Sequence, residues 1–514
     1  MERDATRFGG LRGRLSLTVS MAVMTTVVLV GDAFAQVDCS DPDNLCTGDP
    51  CIISDDIDVL SPCVVDFSPR ALVIDRIVRV PNGGTLQFTA GSIAVNHKIL
   101  GRHITATEGN GANVSLIASG NITVGPGFGQ IDVTALNNNG TISLTAGGNV
   151  DLQRKLQAKV RGAGATATGG TVTIDAAGTI STSRRARIDA RGRTLGVPTP
   201  GGSVTLNGDG GVTIRARVTT AGSPGGTVTI DSVSGDVVLD EKGEVDGNGQ
   251  GPVPSAGGTI TVTASGAVSL TETVLAIFQP TLHAKGGGGG PGGSVVVQGN
   301  TLTDAVLRAN AAGQGATGGS VQVDCASDVD IRRVDVGAKT GGGSVDVDAG
   351  GSAVIDRIFA DSQSGPGGTV SVKAAGDVTI TEIQGDGDTT GGCVFVSSTG
   401  GNVLVEKKVD LDGGTAGGEM SFSAAAGNLT IGDNDNRDFI ASGPAGGTIQ
   451  GDASGNLTAA GTFDATVGGC IGLSAGGTLD TAQATFSPAP GASCPLSCPS
   501  PSGAFLDVVS NVLE

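Results

Sequence analysis

Apolar and polar residues alternate in short runs along most of the chain, and many of these runs follow a pair of glycines. In "GGTVTIDA", which begins at residue 169, Val172 and Ile174 alternate with Thr171 and Thr173. The same order recurs at twelve glycine pairs, the last in "GGCIGL" at residue 468, and only Gly451 interrupts the apolar positions. A period of two residues indicates β-strands that bury one side and expose the other.

Three earlier segments, which begin at residues 83, 112 and 140, extend the repeat to about fifteen units of roughly 27 residues each. Each unit holds two further short runs, such as "GDVTI" and "KVDLD". The pattern predicts an all-β fold, namely a right-handed, single-stranded parallel β-helix of about 15 three-strand coils, capped at its N terminus. A propeller blade needs about 40 residues and helical repeats need a period of about 3.6, and the chain shows neither.

The turn residues predict two kinds of corner. We expect the glycine pairs where the chain needs a positive φ or leaves no room for a Cβ atom. A second corner, where side-chain hydrogen bonds stack, is predicted by Asn and Asp residues that follow glycine. These residues are Asn121, Asn149, Asn402, Asn428, Asn456, Asp236, Asp328 and Asp377.

Composition shifts divide the chain into four parts. Residues 1–35 carry arginines, an apolar run and "AFA" before Gln36, which is typical of a secretory signal peptide. We expect residues 36–82 to form a cysteine-rich N-terminal cap and first coil, residues 83–486 the parallel β-helix, and residues 487–514 a tail that contains Pro and Cys. We therefore expect a secreted protein at an extracellular or cell-surface location, with the periplasm as the alternative, and no membrane span.

Cysteine usage agrees with an oxidising compartment. Cys39, Cys46, Cys51 and Cys63 predict two disulfides, among three possible pairings that the sequence leaves open. Cys494 and Cys498 predict a further disulfide near the C terminus. The remaining cysteines, Cys325, Cys393 and Cys470, are isolated in the sequence.

One group of charged residues is a candidate site. Asp324, Asp348 and Lys373 occupy the same outward position in successive coils, and Asp346 lies near them. Carboxylates beside a lysine suit acid–base chemistry on a polysaccharide or a Ca²⁺ site. The chain has no Trp or Tyr to stack on sugars and only three His, so we expect no enzyme and no cofactor, with Ca²⁺ as the one cofactor considered.

Two further patterns bear on partners. The net charge of −19 argues against nucleic acid or an anionic membrane, because a polyanion is bound by basic patches. An outward hydroxyl ladder suggests ice binding as a distant alternative, and it consists of Thr171 and Thr173, Ser203 and Thr205, Thr227 and Thr229, and Thr259 and Thr261.

Segments such as "SLTAGGNVDL", "ASGNITV" and "AAAGNLTIG" resemble the repeats of filamentous-haemagglutinin-like exoproteins, which are bacterial adhesins built as right-handed β-helices. The resemblance covers roughly residues 84 to 485 and implies an adhesin-like rod. We therefore predict a structural or adhesin-like protein without catalytic activity, whose partner is a host- or cell-surface protein or glycan. The alternative is a protein that binds or degrades a polysaccharide.

Overall fold

The structure is a computed structural model that describes residues 36–102, 109–137, 139–161, 167–192, 198–240, 242–251, 253–271, 279–432, 438–466 and 468–487. The predicted signal peptide and all but the first residue of the predicted tail lie outside these residues. The described residues form 44 β-strands and one 3₁₀ helix, Pro42–Asn44. The prediction of an all-β parallel fold is confirmed, since the strands stack into a β-solenoid of about 16 turns.

One strand from each turn joins a parallel sheet of sixteen strands, which we call sheet one. Val172 lies opposite Val204, and Val204 lies opposite Val228, so equivalent residues of successive repeats stack directly. A slip of one residue would turn every apolar side chain outward, which is why the alternating pattern determines the register. The strands of sheet one are Cys63–Asp66, Thr85–Ala90, Asn113–Ala118, Thr141–Ala146, Thr171–Ala176, Ser203–Gly208, Thr227–Ser232, Thr259–Ala264, Ser294–Gly299, Ser320–Cys325, Ser344–Ala349, Thr369–Ala374, Cys393–Ser398, Glu419–Ala424, Thr448–Ala453 and Cys470–Ala475.

The other 28 described strands form sheet two, which covers the remaining sides of the coil. They are Gln36–Val37, Cys51–Ile53, Ile57–Val59, Ala71–Ile74, Val78–Arg79, Ser92–Val95, Lys98–Leu100, Ile122–Val124, Gln130–Asp132, Val150–Leu152, Lys155–Gln157, Thr179–Thr182, Arg187–Asp189, Gly211–Ile214, Arg217–Thr219, Val237–Asp240, Glu244–Asp246, Ala267–Thr271, Thr281–His283, Thr301–Arg308, Val329–Asp335, Ala353–Phe359, Val378–Gln384, Val403–Asp410, Leu429–Ile431, Asp438–Ile440, Leu457–Asp464 and Leu479–Ser487.

The predicted three-strand coil holds in the first part of the solenoid and changes after it. From Thr301–Arg308 onward, a single longer strand takes the place of the second and third strands in most turns. In Val329–Asp335, two neighbouring residues, Arg332 and Arg333, both point away from the core between buried residues. This irregularity lets the chain bend without a glycine or proline, which is why the sequence pattern did not reveal it.

The core is a narrow column of stacked side chains between the two sheets. Val172, Ile174, Val204 and Leu206 are all fully buried, as are their counterparts along the solenoid. Near the C-terminal end the column contains aromatic rings, and the ring centroids of Phe439 and Phe463 are 5.0 Å apart.

The glycine pairs stand where backbones of neighbouring turns touch. A Cβ atom on Gly202 would lie 2.0 Å from the carbonyl oxygen of Gly170, and one on Gly201 would lie 1.7 Å from that of Thr220. Neither glycine has a positive φ. At this pair the reason is therefore close approach of the backbone, whereas Gly83, Gly446 and Gly468, the first glycines of three other pairs, have the positive φ that was also predicted.

The second predicted corner is confirmed. The side-chain oxygen of Asn121 accepts a hydrogen bond of 2.8 Å from the backbone N–H of Asn149, one turn further along. The oxygen of Asn149 accepts in turn from the N–H of Thr179 at 2.8 Å. The same arrangement joins Asn428 to Asn456 at 2.8 Å, so each side chain satisfies a backbone donor of the next turn.

Candidate functional site

The four residues of the predicted acidic site lie on the outer side of sheet one. Asp324 pairs with Asp348, and Asp348 pairs with Lys373, in successive strands. Asp346 is two residues before Asp348 on the same strand, so it faces the same way. The predicted alignment is confirmed, with the three carboxylates exposed and Lys373 half-buried. A role in polysaccharide binding or cleavage stays a prediction.

The hydroxyl ladder is aligned as predicted. Thr171, Ser203, Thr227 and Thr259 lie opposite one another in consecutive strands of sheet one. Beside the end of this ladder, a shallow groove of about 650 Å³ follows the glycine corner and is lined by glycine, serine and threonine. Ice binding by the ladder stays a prediction.

The N-terminal cysteines pair as Cys39–Cys63 and Cys46–Cys51, which settles the pairing that the sequence left open. Cys325 is a buried free thiol. Cys393 and Cys470, which look isolated in the sequence, are both disulfide-bonded. Cys494 and Cys498 lie outside the described residues.

Charge is segregated along the chain. Residues 98–217 contain 13 Lys and Arg against 6 Asp and Glu, whereas residues 218–486 contain 11 Lys and Arg against 30 Asp and Glu. Although the net charge of the whole chain is −19, residues 98–217 therefore carry a net positive charge. Because each turn stacks on the one before it, the basic residues of this section are brought close together.

Seven basic residues on three consecutive turns form a surface that we call the basic flank. Lys155, Arg187 and Arg217 lie opposite one another at the start of neighbouring strands of sheet two. The others stand at the corner just before these strands. The basic flank consists of Arg154, Lys155, Arg184, Arg185, Arg187, Arg215 and Arg217.

The corner residues of the basic flank surround a hollow of about 400 Å³. It is lined by Arg154, Arg184, Arg185 and Arg215, together with Pro126, Gln153 and Ser183. Arg154 is held in place because its guanidinium donates to the carbonyl oxygen of Pro126 at 2.9 and 3.1 Å. Arg185 is exposed. The hollow therefore presents guanidinium groups to solvent from three turns.

A buried carboxylate binds several basic side chains at the inner edge of this flank. Asp189 is fully buried, and its oxygens lie 2.9 Å from Arg191, 3.6 Å from Arg187 and 3.7 Å from Lys159. Burial alone would raise the pKa of Asp189, but the hydrogen bond from Arg191 and the three neighbouring cations outweigh it and lower the pKa. One carboxylate thus holds three basic side chains in fixed positions.

The next turn ends the basic flank with acidic residues. Arg215 lies 3.3 Å from Asp240, and Arg217 forms ion pairs with Glu244 and with the buried Asp246. Lys155, Arg184 and Arg185 lie on the two preceding turns and are exposed. The exposed positive charge is therefore concentrated on the two turns before Arg217.

Further along the same side, the charge is reversed. Burial and the adjacent carboxyl of Asp410 raise the pKa of Asp386 to about 7. Burial, together with the charges of Asp335 and Asp410, also raises the pKa of Asp361 to about 6. Lys408 forms an ion pair with Asp410. This group, which we call the carboxyl cluster, makes the C-terminal part of this side acidic.

The basic flank was not predicted from the sequence, although a signal for it was present. The pair Arg184–Arg185 and the excess of Lys and Arg between residues 98 and 217 are visible in the sequence. The net charge of the whole chain does not reveal this excess, because acidic residues predominate in the rest of the chain. Placing the residues side by side also requires the register of three turns.

Among the described residues, no group of three or more His, Cys, Asp or Glu side chains is arranged to hold a metal ion. In the same part of the chain, no helix has the length and apolar character needed to cross a membrane. No protein family, curated protein or solved structure matches the chain.

Proposed function

We propose that the protein is a secreted structural or adhesin-like rod without catalytic activity, and that its basic flank binds an acidic polysaccharide. The observation that carries this proposal is the array of seven basic side chains on three successive turns. Two disulfides near the N terminus support an extracellular location, because such bonds persist in oxidising compartments.

The array suits a linear polyanion. Successive turns are about 4.8 Å apart, so cations recur at short, regular intervals along the rod. Arginine pairs with carboxylate and sulfate groups through two parallel hydrogen bonds, which gives both strength and orientation. Since the turns are held by continuous sheets, the array is preorganised and loses little entropy on binding.

The acidic residues in the rest of the rod restrict where a polyanion binds. Residues 218–486 carry an excess of Asp and Glu, so a polyanion is repelled from them and attracted to the flank. A polyanion would therefore bind the basic flank in preference to the C-terminal turns.

Binding can be measured with the purified chain that begins at Gln36. We expect retention on polygalacturonate and dextran sulfate but not on neutral dextran, and a loss of binding as NaCl rises, because ionic contacts are screened. Arg184→Glu combined with Arg185→Glu should weaken binding about tenfold or more. The matched control is Arg357→Glu, since Arg357 is a partly exposed arginine of the acidic section.

Equal binding by the flank variant and the control, or equal retention on neutral dextran, would refute a role for the basic flank. If the chain is retained on neither acidic polymer, an acidic polysaccharide is not its ligand. An adhesin-like function would then require a protein partner.

A polysaccharide-degrading enzyme is the second candidate, because the register aligns Asp324, Asp348 and Lys373 on one face. The same polysaccharides should be assayed for new chain ends, with and without Ca²⁺. New ends that disappear in Asp348→Asn but persist in the basic-flank variant would establish an enzyme at that face. Binding without new ends supports the non-catalytic proposal.

A further inference from the structure

The hollow of the basic flank exists because three neighbouring corners of the coil differ in length. Between the paired strands of sheet two, the first corner contains residues 125–129, the second residues 153–154 and the third residues 183–186. Two long corners therefore project on either side of a short one. The hollow lies over the short corner, and the two long corners form its walls.

The width and charge of the hollow limit what it can hold. Its two walls are separated by two strand spacings, or about 10 Å between their backbones. With van der Waals contacts of about 3.5 to 4 Å at each wall, the gap takes one ring of a ligand rather than two. Among the described residues, none of those that line the hollow is acidic, whereas four are arginines.

An exposed aromatic side chain stands on the first wall. Phe128 lies two residues after Pro126, which lines the hollow, and is 69% exposed. It is the most exposed large apolar side chain in the part of the chain that the structure describes. The centroid of its ring lies 5.6 Å from that of His97. Because His97 belongs to the preceding turn, it supports the ring from the side away from the hollow.

The corner that carries this ring is fixed in place. The backbone N–H of Phe128 donates to the carbonyl oxygen of Asn96 at 3.2 Å. Gly129 is packed so closely on the preceding turn that a Cβ atom there would lie 2.3 Å from the carbonyl oxygen of Val95. From the following turn, Arg154 donates two hydrogen bonds to the same corner. The ring is therefore held ready for a ligand, and binding costs little ordering of the protein.

We propose that the hollow binds one anionic sugar unit, with the sugar ring packed on Phe128 and its carboxylate or sulfate bound by Arg184 and Arg185. The face of a sugar ring presents C–H groups, which pack favourably on an aromatic face because that face carries partial negative charge. The chain contains no Trp or Tyr, so phenylalanine is the aromatic side chain available for this contact. Arginine binds carboxylate and sulfate through parallel hydrogen bonds.

This assignment rests on the proposed function, since it names the part of the acidic polysaccharide that the basic flank recognises. Guanidinium groups alone attract any polyanion, including one that has no rings. Contact with Phe128 adds a requirement for a ring beside the anionic group. The hollow therefore distinguishes an acidic polysaccharide from other polyanions of similar charge.

The test is calorimetric titration of the chain that begins at Gln36 with oligogalacturonate, with sulfated dextran oligomers and with polyphosphate, which has no sugar ring. Phe128→Ala should weaken binding of at least one of the two sugar polymers by about tenfold and leave binding of polyphosphate unchanged. The polymer that loses affinity identifies the anionic group as carboxylate or sulfate. The loss should persist as NaCl rises, because salt screens ionic contacts but not the packing of rings.

Two further variants separate the ring contact from general effects of substitution. Phe128→Tyr keeps the aromatic face and should retain most of the affinity. Val233→Ala is the matched control, because Val233 is 64% exposed and lies outside the basic flank, and it should bind all three polymers as the unchanged chain does.

The possible failures are distinguishable. If Phe128→Ala binds both sugar polymers normally while Arg184→Glu combined with Arg185→Glu loses them, the role of Phe128 is refuted and the proposed function stands. An equal loss of polyphosphate binding in Phe128→Ala would also refute a ring contact. If the unchanged chain binds neither sugar polymer, both the proposed function and this assignment are wrong.

Discussion

Arg191 and Asp189 form a two-pronged ion pair on the flank of the solenoid. The guanidinium donates to the carboxylate at 2.9 Å through Nε and at 3.0 Å through Nη2. Asp189 is fully buried, and Arg187 and Lys159 lie on its other sides. Asp189 thus joins one member of the basic flank, Arg187, to two further cations, and the stability of these turns depends on it.

Asp189→Asn should destabilise the protein by about 3 kcal/mol, because the substitution leaves three partly buried cations without their common counter-ion. The free energy of unfolding in urea at pH 7 measures this effect. Asp452→Asn is the control, since Asp452 is an exposed residue of sheet one. A loss below about 1 kcal/mol would mean that solvent, rather than Asp189, balances these cations.

Gly202→Ala should cost about 3 kcal/mol or more, because the new Cβ atom would lie 2.0 Å from the carbonyl oxygen of Gly170 and 2.6 Å from that of Ala190. The matched control is Gly341→Ala, whose Cβ atom would lie 3.7 Å from its nearest neighbour. We expect that control to be neutral or slightly stabilising, since alanine restricts the unfolded chain. Equal unfolding midpoints for the two variants would contradict the steric explanation of the glycine pairs.

Asn149→Ala should lower the free energy of unfolding by about 1 to 2 kcal/mol, because the N–H of Thr179 would lose its acceptor. Asn149→Asp keeps an oxygen in the same place, as Asp236 does naturally where it accepts from the N–H of Ala267 at 2.8 Å. The Asp variant should therefore retain most of the stability. If both variants are equally unstable, the amide group has a role other than accepting this hydrogen bond.

Rising pH should destabilise the turns around Asp386. The ordinary pKa of this carboxyl is 3.8, and burial with the adjacent Asp410 raises it to about 7 in the folded chain. The folded state therefore holds its proton more tightly than the unfolded state, and the resulting stability is lost as pH rises from about 4 to about 7. Asp386→Asn should remove this part of the pH dependence and stabilise the protein at pH 8.

The difference in urea midpoint between this variant and the unchanged chain, followed from pH 4 to pH 8, isolates Asp386. His283 acts in the opposite direction over part of this range, because burial lowers its pKa to about 4, and it is present in both proteins. A constant difference across the range would disprove the shifted pKa of Asp386.

Much of the fold followed from local patterns. The sequence already showed the buried positions Val172 and Ile174, the glycine corners and the Asn149 ladder, because every repeat carries the same types of residue at these positions. The single strand in Val329–Asp335 was not foreseen, since the paired Arg332 and Arg333 give no turn signal. The alignment of Asp324, Asp348 and Lys373 was predicted, because glycine pairs mark the start of each turn.

The sequence by itself determined the β-solenoid. Strands that alternate apolar and polar residues, repeated in a constant order along the chain, bury their apolar sides efficiently by stacking turn upon turn. Tertiary structure alone decided which charges meet. Asp189 comes into contact with Lys159, 30 residues before it, only because successive turns stack one strand spacing apart, and the number of residues in each corner loop sets that contact. Net charge and spacing along the chain contain no such information, so the basic flank and the carboxyl cluster emerged only when the turns were placed in register.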